Sequence, residues 1–411
     1  MQKAKKIIAM ICLTVISLAL ANCGGSAELK SVDEESHNPA TDPIETEPET
    51  EKMTITETPK PAELVASRML HAEGNKILND KGEEVRLAGV NVCSLEWSNT
   101  GENVLNSVYE VFTNWNCNII RLPLSQDRWF GKVKGQKDGG DEYKNIVDKV
   151  VKLASDFGKY VELDLHWSNA GEWGKNISQH FMPDENSLEF WLDIAKRYAN
   201  HPSVIFNLYN EPHDISWEVW RDGGTITEIA NKGKANEKIL TYETPGHQKI
   251  LEEIRALGAK NIITAGGLDW GYDLSGIKTK ANGATYALTD SPGGNGIIYE
   301  THIYPWKSDM KNKVLCIVND YPIIVGEIGI NAVDGTNGAD KKPKWMPDML
   351  NWMDENNLHW TGWCLHPGAT PNMITGWDYT PTEWHGALMK ERLLSYPDTN
   401  AHLAELPKKP R

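Results

Sequence analysis

Two short runs carry the residues best suited to chemistry. "NLYNEP" (207–212) follows Val204, Ile205 and Phe206 and ends on Glu211, and "IVGEIG" (324–329) places Glu327 at the end of a second apolar run. A carboxylate at the tip of a buried strand is expensive to desolvate unless something uses or pairs it. Two carboxyl groups brought together split their roles: repulsion and apolar surroundings raise the pKa of one, which keeps its proton, while a partner held by positive charge stays ionised. Other apolar runs end in the same way. Arg121 lies in "NIIRLPL", His166 and Trp167 end "YVELDLHW", Asn210 precedes Glu211, His302 and Tyr304 end "IIYETHIYP", and Trp363 lies in "HWTGWCLH".

The elements that must position these residues alternate along the chain. Strand-like runs lie at 85–94, 118–124, 160–167, 204–212, 261–267, 297–305, 322–329 and 359–366. Helical periodicity falls between them, in "NSVYEVFTNW", "YKNIVDKVVKLASDFG", "SLEFWLDIAKRYAN" and "HQKILEEIRALGAK". Ser187 reads as an N-cap and Gly258 as a C-cap signal. Strands separated by helices are parallel, and eight such units predict a single α/β domain, a (β/α)8 TIM barrel over about residues 64–400 with a tail at 401–411. A doubly wound open sheet is the alternative, but no Gly-x-Gly-x-x-Gly turn follows an early strand. In a (β/α)8 barrel the C-terminal strand ends form one rim, so the polar residues above converge there. Asn210 and Glu211 are adjacent and would face opposite sides of a regular strand, so the strand must end or bulge beside Pro212. His213 has no assigned role.

"NLYNEP" and "IVGEIG" resemble the two carboxylate motifs of glycoside hydrolase family 5, the cellulase A family of the 4/7 clan. "IIRLPL", "DLHW", "HIYP" and "GWCLHP" fit the remaining pattern in the same order, and the similarity runs over about residues 68–395. The resemblance implies a retaining double displacement, with Glu211 as acid/base and Glu327 as nucleophile. Their carboxyl groups would then lie about 5–5.5 Å apart. It also implies that Arg121 and Tyr304 keep Glu327 ionised, that Asn210 holds a sugar 2-hydroxyl, and that His166 and His302 bind sugar or orient the glutamates. Trp363 would floor the sugar site, and the Trp363–Cys364 peptide would be cis. No cofactor and no metal are expected.

The chain has 16 Trp against 6 Phe. Flat indole faces suit the C–H faces of sugar rings. Trp97, Trp129, Trp167, Trp173, Trp217, Trp220, Trp270, Trp306 and Trp377 fall in or near loops after strands, and about half should serve loop packing. Together they point to an open cleft and an internally cut β-glycan: β-1,4-glucan first, β-mannan or xyloglucan as alternatives. A glycan-binding protein that has lost catalysis is the rival reading, disfavoured because both glutamates and their supports are present. The loop "TGWDYTPTEWHG" (375–386), after the eighth strand, is expected to shape the cleft.

Composition bounds the rest. Of 411 residues, 40% are hydrophobic and 24% charged, as in a globular protein, and the net charge of −15 excludes a phosphate-binding basic face and hence nucleic acid. A basic start and a short apolar run over residues 1–22 read as a signal peptide. Leu20-Ala21-Asn22-Cys23 resembles a lipobox, making Cys23 a lipid anchor and the only link to a membrane; cleavage after Ala21 would give a free secreted protein instead. Residues 23–63, rich in Glu, Thr and Pro, read as a disordered acidic spacer. The expected product is an exported monomer. Cys93, Cys117, Cys316 and Cys364 lack metal-site spacing and read either as disulfide partners or as buried thiols.

Overall fold

A computed structural model describes residues 69–230, 232–278, 285–331 and 344–410. The expected leader, the spacer and Cys23 lie outside the described residues. Eight parallel strands close a barrel: β3 (Ala88–Asn91), β4 (Ile119–Ser125), β5 (Tyr160–Trp167), β6 (Val204–Asn207), β9 (Ile263–Gly266), β10 (Ile297–Ile303), β11 (Ile323–Ile328) and β12 (His359–Gly362). β12 pairs with β3 to complete the ring. Each lies inside one of the eight runs expected from the sequence, except that β4 runs one residue further, to Ser125.

The crossover helices bury one apolar stripe each, through Val104, Val108, Val111 and Phe112 on helix Val104–Asn114, for example, and Phe190, Trp191 and Ile194 on helix Glu185–Tyr198. That second helix starts earlier than expected. Asp184 is its N-cap and Ser187 is the third residue, the two forming a reciprocal capping box. Helix Gly246–Ala256 ends before Gly258, which takes a φ of 78°. Between β9 and β10 no helix occurs among the described residues.

Two antiparallel ribbons escape the sequence reading. β1 (His71–Glu73) and β2 (Lys76–Leu78) form a hairpin. Leu70 and Ile77 join Ile119, Tyr160, Ile205, Ile262, Ile298 and Ile324 in a separate apolar cluster. These barrel residues stand at the upstream ends of their strands, so the hairpin plugs the face opposite the catalytic rim. β7 (Gly224–Ala230) and β8 (Lys238–Thr244) form a second ribbon between β6 and helix Gly246–Ala256. Its side chains alternate between buried and exposed. Glu228 on the buried side pairs with His180 and accepts from the Phe181 amide at 3.1 Å. The ribbon thereby fixes the loop after β5.

At the chain's end, Leu403 packs on the core, so the tail is continuous with the domain. Cys93, Cys117 and Cys364 are buried free thiols and Cys316 is a half-buried one.

Three histidines are sealed in this fold. Burial pushes His247 and His359 down to about 3 and His385 down to about 4. Neither ring nitrogen of His247 has a partner. Above the ordinary His pKa of about 6.5 these rings are neutral whether folded or not, and they cost nothing. As pH falls below that value the unfolded chain takes up protons that the fold refuses, so each ring removes about 1.4 kcal/mol of stability per pH unit. Replacing His247 with Phe should remove its share. Urea midpoints measured from pH 7 to pH 5 should fall less steeply for H247F than for the parent; parallel curves would contradict this.

Candidate active site

The barrel interior is apolar only at its plugged end. Above that layer, inward positions carry Asn91, Arg121, Glu162, Asp164, Asn207, Thr264, Glu300, His302 and Thr361, each essentially inaccessible to water. Arg121 on β4 organises them. Its Nη1 donates to Asn91 Oδ1 at 3.1 Å and to Glu327 Oε1 at 3.2 Å. Its Nη2 donates to Asn210 Oδ1 at 2.8 Å and pairs with Asp164 Oδ2 and Glu300 Oε1, both at 3.1 Å. A planar fork can serve five acceptors in this way where an ammonium could not.

Strand irregularities aim the side chains. Thr301 pairs with Val325 but His302 pairs with Glu327, so Gly326 is an extra residue in β11. This bulge turns Glu327 inward beside His302. A Cβ on Gly326 would lie 2.3 Å from Glu300 Oε1, so glycine is required there. A second shift pairs Ser125 with Trp167 and leaves His166 unpaired on β5. β6 ends at Asn207, four residues before Glu211, which frees Asn210 and Glu211 to reach the same cleft. The strand thus ends sooner than the expected 204–212 run.

The two glutamates meet over His302. Its Nδ1 lies 2.9 Å from Glu211 Oε1 and 3.7 Å from Glu327 Oε2, and its Nε2 lies 2.6 Å from Glu300 Oε1. One oxygen of Glu211, one of Glu327 and a His302 nitrogen all lie within 4.8 Å of one another. The Tyr304 hydroxyl donates to Glu327 Oε2 at 2.6 Å. Asn210 donates to Gln179 Oε1 at 2.9 Å. His166 donates to Asp164 at 2.7 Å and stacks on Trp363 with ring centroids 5.4 Å apart. The Trp363–Cys364 peptide is cis.

The charges differ from the expectation at both glutamates: Glu211 is shifted down and Glu327 up. Burial pushes Glu211 up, as expected, but the hydrogen bond and charge of His302 outweigh it and hold the carboxyl below its usual range. Burial opposes charge on His302 as well, yet Glu327, Glu211 and Glu300 raise it to about 10. Both shifts favour a proton on His302 over one on Glu211. Burial and the nearby Glu211 push Glu327 up, against His302 and Arg121. The donations from Arg121 and Tyr304 favour its ionised form.

Of the tryptophans, Trp363 stacks on His166, and Trp306 stacks on Tyr304 at 4.9 Å with just over half its surface exposed. Trp270 stacks on His213 at 3.4 Å. His213 Nδ1 in turn donates to the Glu211 carbonyl at 2.7 Å, which gives that unassigned histidine a place. Trp97 meets His366 edge-on and packs with Trp363 around Cys93 and Cys364. Trp377 meets the other side of His366. Trp167 ends β5, half-buried. Trp173 is engaged in loop packing against Phe130, with Lys132 over its face. Trp129 and Trp220 are fully buried core residues, not platforms: their indole nitrogens donate to Asp193 and to the Gly266 carbonyl.

The sequence reading missed Asn91, Glu162, Asp164, Gln179 and Glu300. A signal existed for three of them. In "VELDLH" and "YETH" polar residues recur every second position inside strands that a parallel barrel should fill with apolar residues. That alternation marks a polar interior. Gln179 comes from a loop and left no such trace.

A closed parallel barrel with two close carboxylates, a buried arginine and aromatic surfaces at one rim has the architecture of a retaining glycoside hydrolase. Residues 78–369 match the family model described as Cellulase (glycosyl hydrolase family 5), and the chain belongs to that family. An endoglucanase from Paenibacillus polymyxa is 26% identical over 368 residues, covering 78% of this chain and 87% of the relative. A cellulase from a Thermoanaerobacterium species is 24% identical over 320 residues, covering 74% and 72%. Among solved structures, a β-glucanase from Saccharophagus degradans in complex with cellotetraose superposes with a TM-score of 0.60 at 24% identity, covering 82% of this chain and 98% of that one.

Gly326→Ala should force Glu300 and the β11 bulge apart. Overpacking of this kind costs about 1–3 kcal/mol. The variant should unfold at lower denaturant and lose most of its activity; wild-type behaviour in both measurements would mean that the bulge is not needed to aim Glu327.

Proposed function

We propose that the protein is an endo-acting β-1,4-glucanase that works by double displacement, with Glu327 as nucleophile and Glu211 as acid/base. The approach of these two carboxylates to within reach of one His302 nitrogen carries the reading. It suits the separation of about 5–5.5 Å used by retaining enzymes rather than the wider gap that leaves room for water. Glu327 attacks the anomeric carbon while Glu211 protonates the departing oxygen. Water, deprotonated by Glu211, then releases the sugar. Arg121 and Tyr304 hold Glu327 charged and aimed. Asn210, fixed by Arg121 and Gln179, presents its amide to the 2-hydroxyl. Trp363 supports the sugar at the cleavage point, with Trp97 to one side and Trp270 and Trp306 to the other.

The relatives act on glucans by name, and the indoles left partly exposed at the rim, Trp306 most of all, favour a long chain over a short glycoside. We further propose that the enzyme is exported and works as a monomer tethered through Cys23. Radiolabelled palmitate should label the wild type and leave Cys23→Ala unlabelled; label on neither would end the lipid-anchor proposal.

Glu327→Ala should keep the thermal transition of the wild type and lose activity by several orders of magnitude, with external azide restoring turnover and giving a product of inverted configuration. An unimpaired rate, or a retained product, would remove Glu327 from the nucleophile's role. Among carboxymethyl cellulose, mixed-linkage glucan, glucomannan and xyloglucan, reducing-sugar release should be fastest on the unbranched glucans and should lower viscosity early. A preference for mannan would overturn the glucanase reading and leave the mechanism in place.

A further inference from the structure

The proposed mechanism uses Glu211 and Glu327 but not a third carboxylate directly beneath them. Glu300 is wholly buried on β10, two residues before His302. Its Oε1 meets His302 Nε2 at 2.6 Å and Arg121 Nη2 at 3.1 Å, and its Oε2 accepts from the Asn207 amide. His302 cannot turn away. Its backbone amide donates to the Gly271 carbonyl at 3.2 Å, and its ring faces Gly271, where a Cβ would stand 3.0 Å from Cγ. The result is a straight relay: Glu300, then Nε2 and Nδ1 of the imidazole, then Glu211 Oε1 at 2.9 Å.

Resting on the assignment of Glu211 as the acid, we propose that Glu300 is a positioning residue that stores the acid's proton on His302, from which Glu211 draws it as the glycosidic bond breaks. The balance is simple. The imidazolium holds a proton on each nitrogen. The Nδ1 proton passes to Glu211 Oε1 and on to the leaving oxygen, which also takes the electrons of the breaking C–O bond. His302 is left neutral and keeps its Nε2 proton on Glu300. In the second half, Glu211 takes a proton from water as the water oxygen joins the anomeric carbon and the bond to Glu327 breaks, its electrons returning to that carboxylate; the proton then returns to Nδ1.

The surroundings support the assignment. Facing His302 are Glu211 and Glu327, with Tyr304 beyond them; facing Glu300 are Arg121 from β4 and Glu162 from β5, and His166, Asp164 and His213 stand around the edge. Burial and the charge of Glu300 push Glu162 well above its usual range, which favours its neutral form. Burial pushes Glu300 up, but the charge of Arg121 and the hydrogen bond and charge of His302 outweigh that and hold it below its usual range. An anion fixed under an imidazole keeps the ring charged, and the ring keeps Glu211 charged until substrate excludes water and the proton moves.

The test is Glu300→Gln, in which the Asn207 amide can turn its unpartnered Oδ1 toward the new NH2 group. The alkaline limb of kcat/KM should move down by a pH unit or more. At pH 8, kcat on an aryl cellobioside with a poor leaving group should drop at least tenfold, while KM and the rate on the dinitrophenyl cellobioside change little. Equal losses on both substrates with an unmoved limb would reduce Glu300 to a structural role and overturn the proposal. Should the variant not fold, 15N spectra of histidine-labelled wild-type enzyme decide: His302 protonated on both nitrogens at pH 8 supports the store, and a neutral ring refutes it. Glu211→Ala separates the two readings. If its kcat/KM on both aryl glycosides equals the wild type's, the acid assignment fails; if its kcat/KM falls on the poor leaving group alone while Glu300→Gln keeps the wild-type profile, only the store fails.

Discussion

The buried guanidinium of Arg121 is the interaction on which the site depends. Asp164, Glu300 and Glu327 all point into a barrel interior closed to water, and three anions at that depth would repel one another and drive protons onto themselves. One cation, reaching all three and the amides of Asn91 and Asn210, makes the arrangement possible. The reverse also holds, since an isolated arginine there would be as costly as the acids. Replacing the whole set by apolar residues would make an ordinary barrel core. Its polarity reflects function rather than folding need.

From that centre outward the structure is a set of aiming devices. The bulge at Gly326 turns Glu327 inward, the early end of β6 releases Asn210 and Glu211, and the Glu228–His180 pair on the β7–β8 ribbon steadies the loop that delivers Gln179. None of these devices touches substrate. Each sets a side chain's direction to within a fraction of its length, which is the accuracy that proton and glycosyl transfer need.

The barrel was legible because its strands are long apolar runs at regular spacing, and the rim residues were legible because each breaks such a run. What was not legible came from two physical causes. Ribbon β7–β8 is half exposed, so its pattern is that of a polar surface and its short turns leave no apolar run. Glu162, Asp164 and Glu300 sat inside runs already recognised as strands, where the expectation of an oily interior hid the meaning of their alternation. Trp129 and Trp220 were placed with the loop aromatics because they lie near strand ends in sequence, yet each turns back into the core where its indole N–H finds a buried acceptor. For Glu211 the sequence pointed to a second carboxylate and apolar surroundings, both raising its pKa; the imidazole that reverses the shift comes from a strand 91 residues away, beyond any local signal.

The hairpin that plugs the barrel has a consequence for how the molecule faces its surroundings. Because β1 and β2 close the end away from the glutamates, the chain enters the domain from behind. Leu70, at the start of the described chain, packs at this closed end, and the cleft lies on the far side, open to a long polymer sliding across it. Under the proposed attachment through Cys23, tether and cleft would occupy opposite poles of the barrel, and the tether could be lengthened, shortened or exchanged without crossing the path of the substrate.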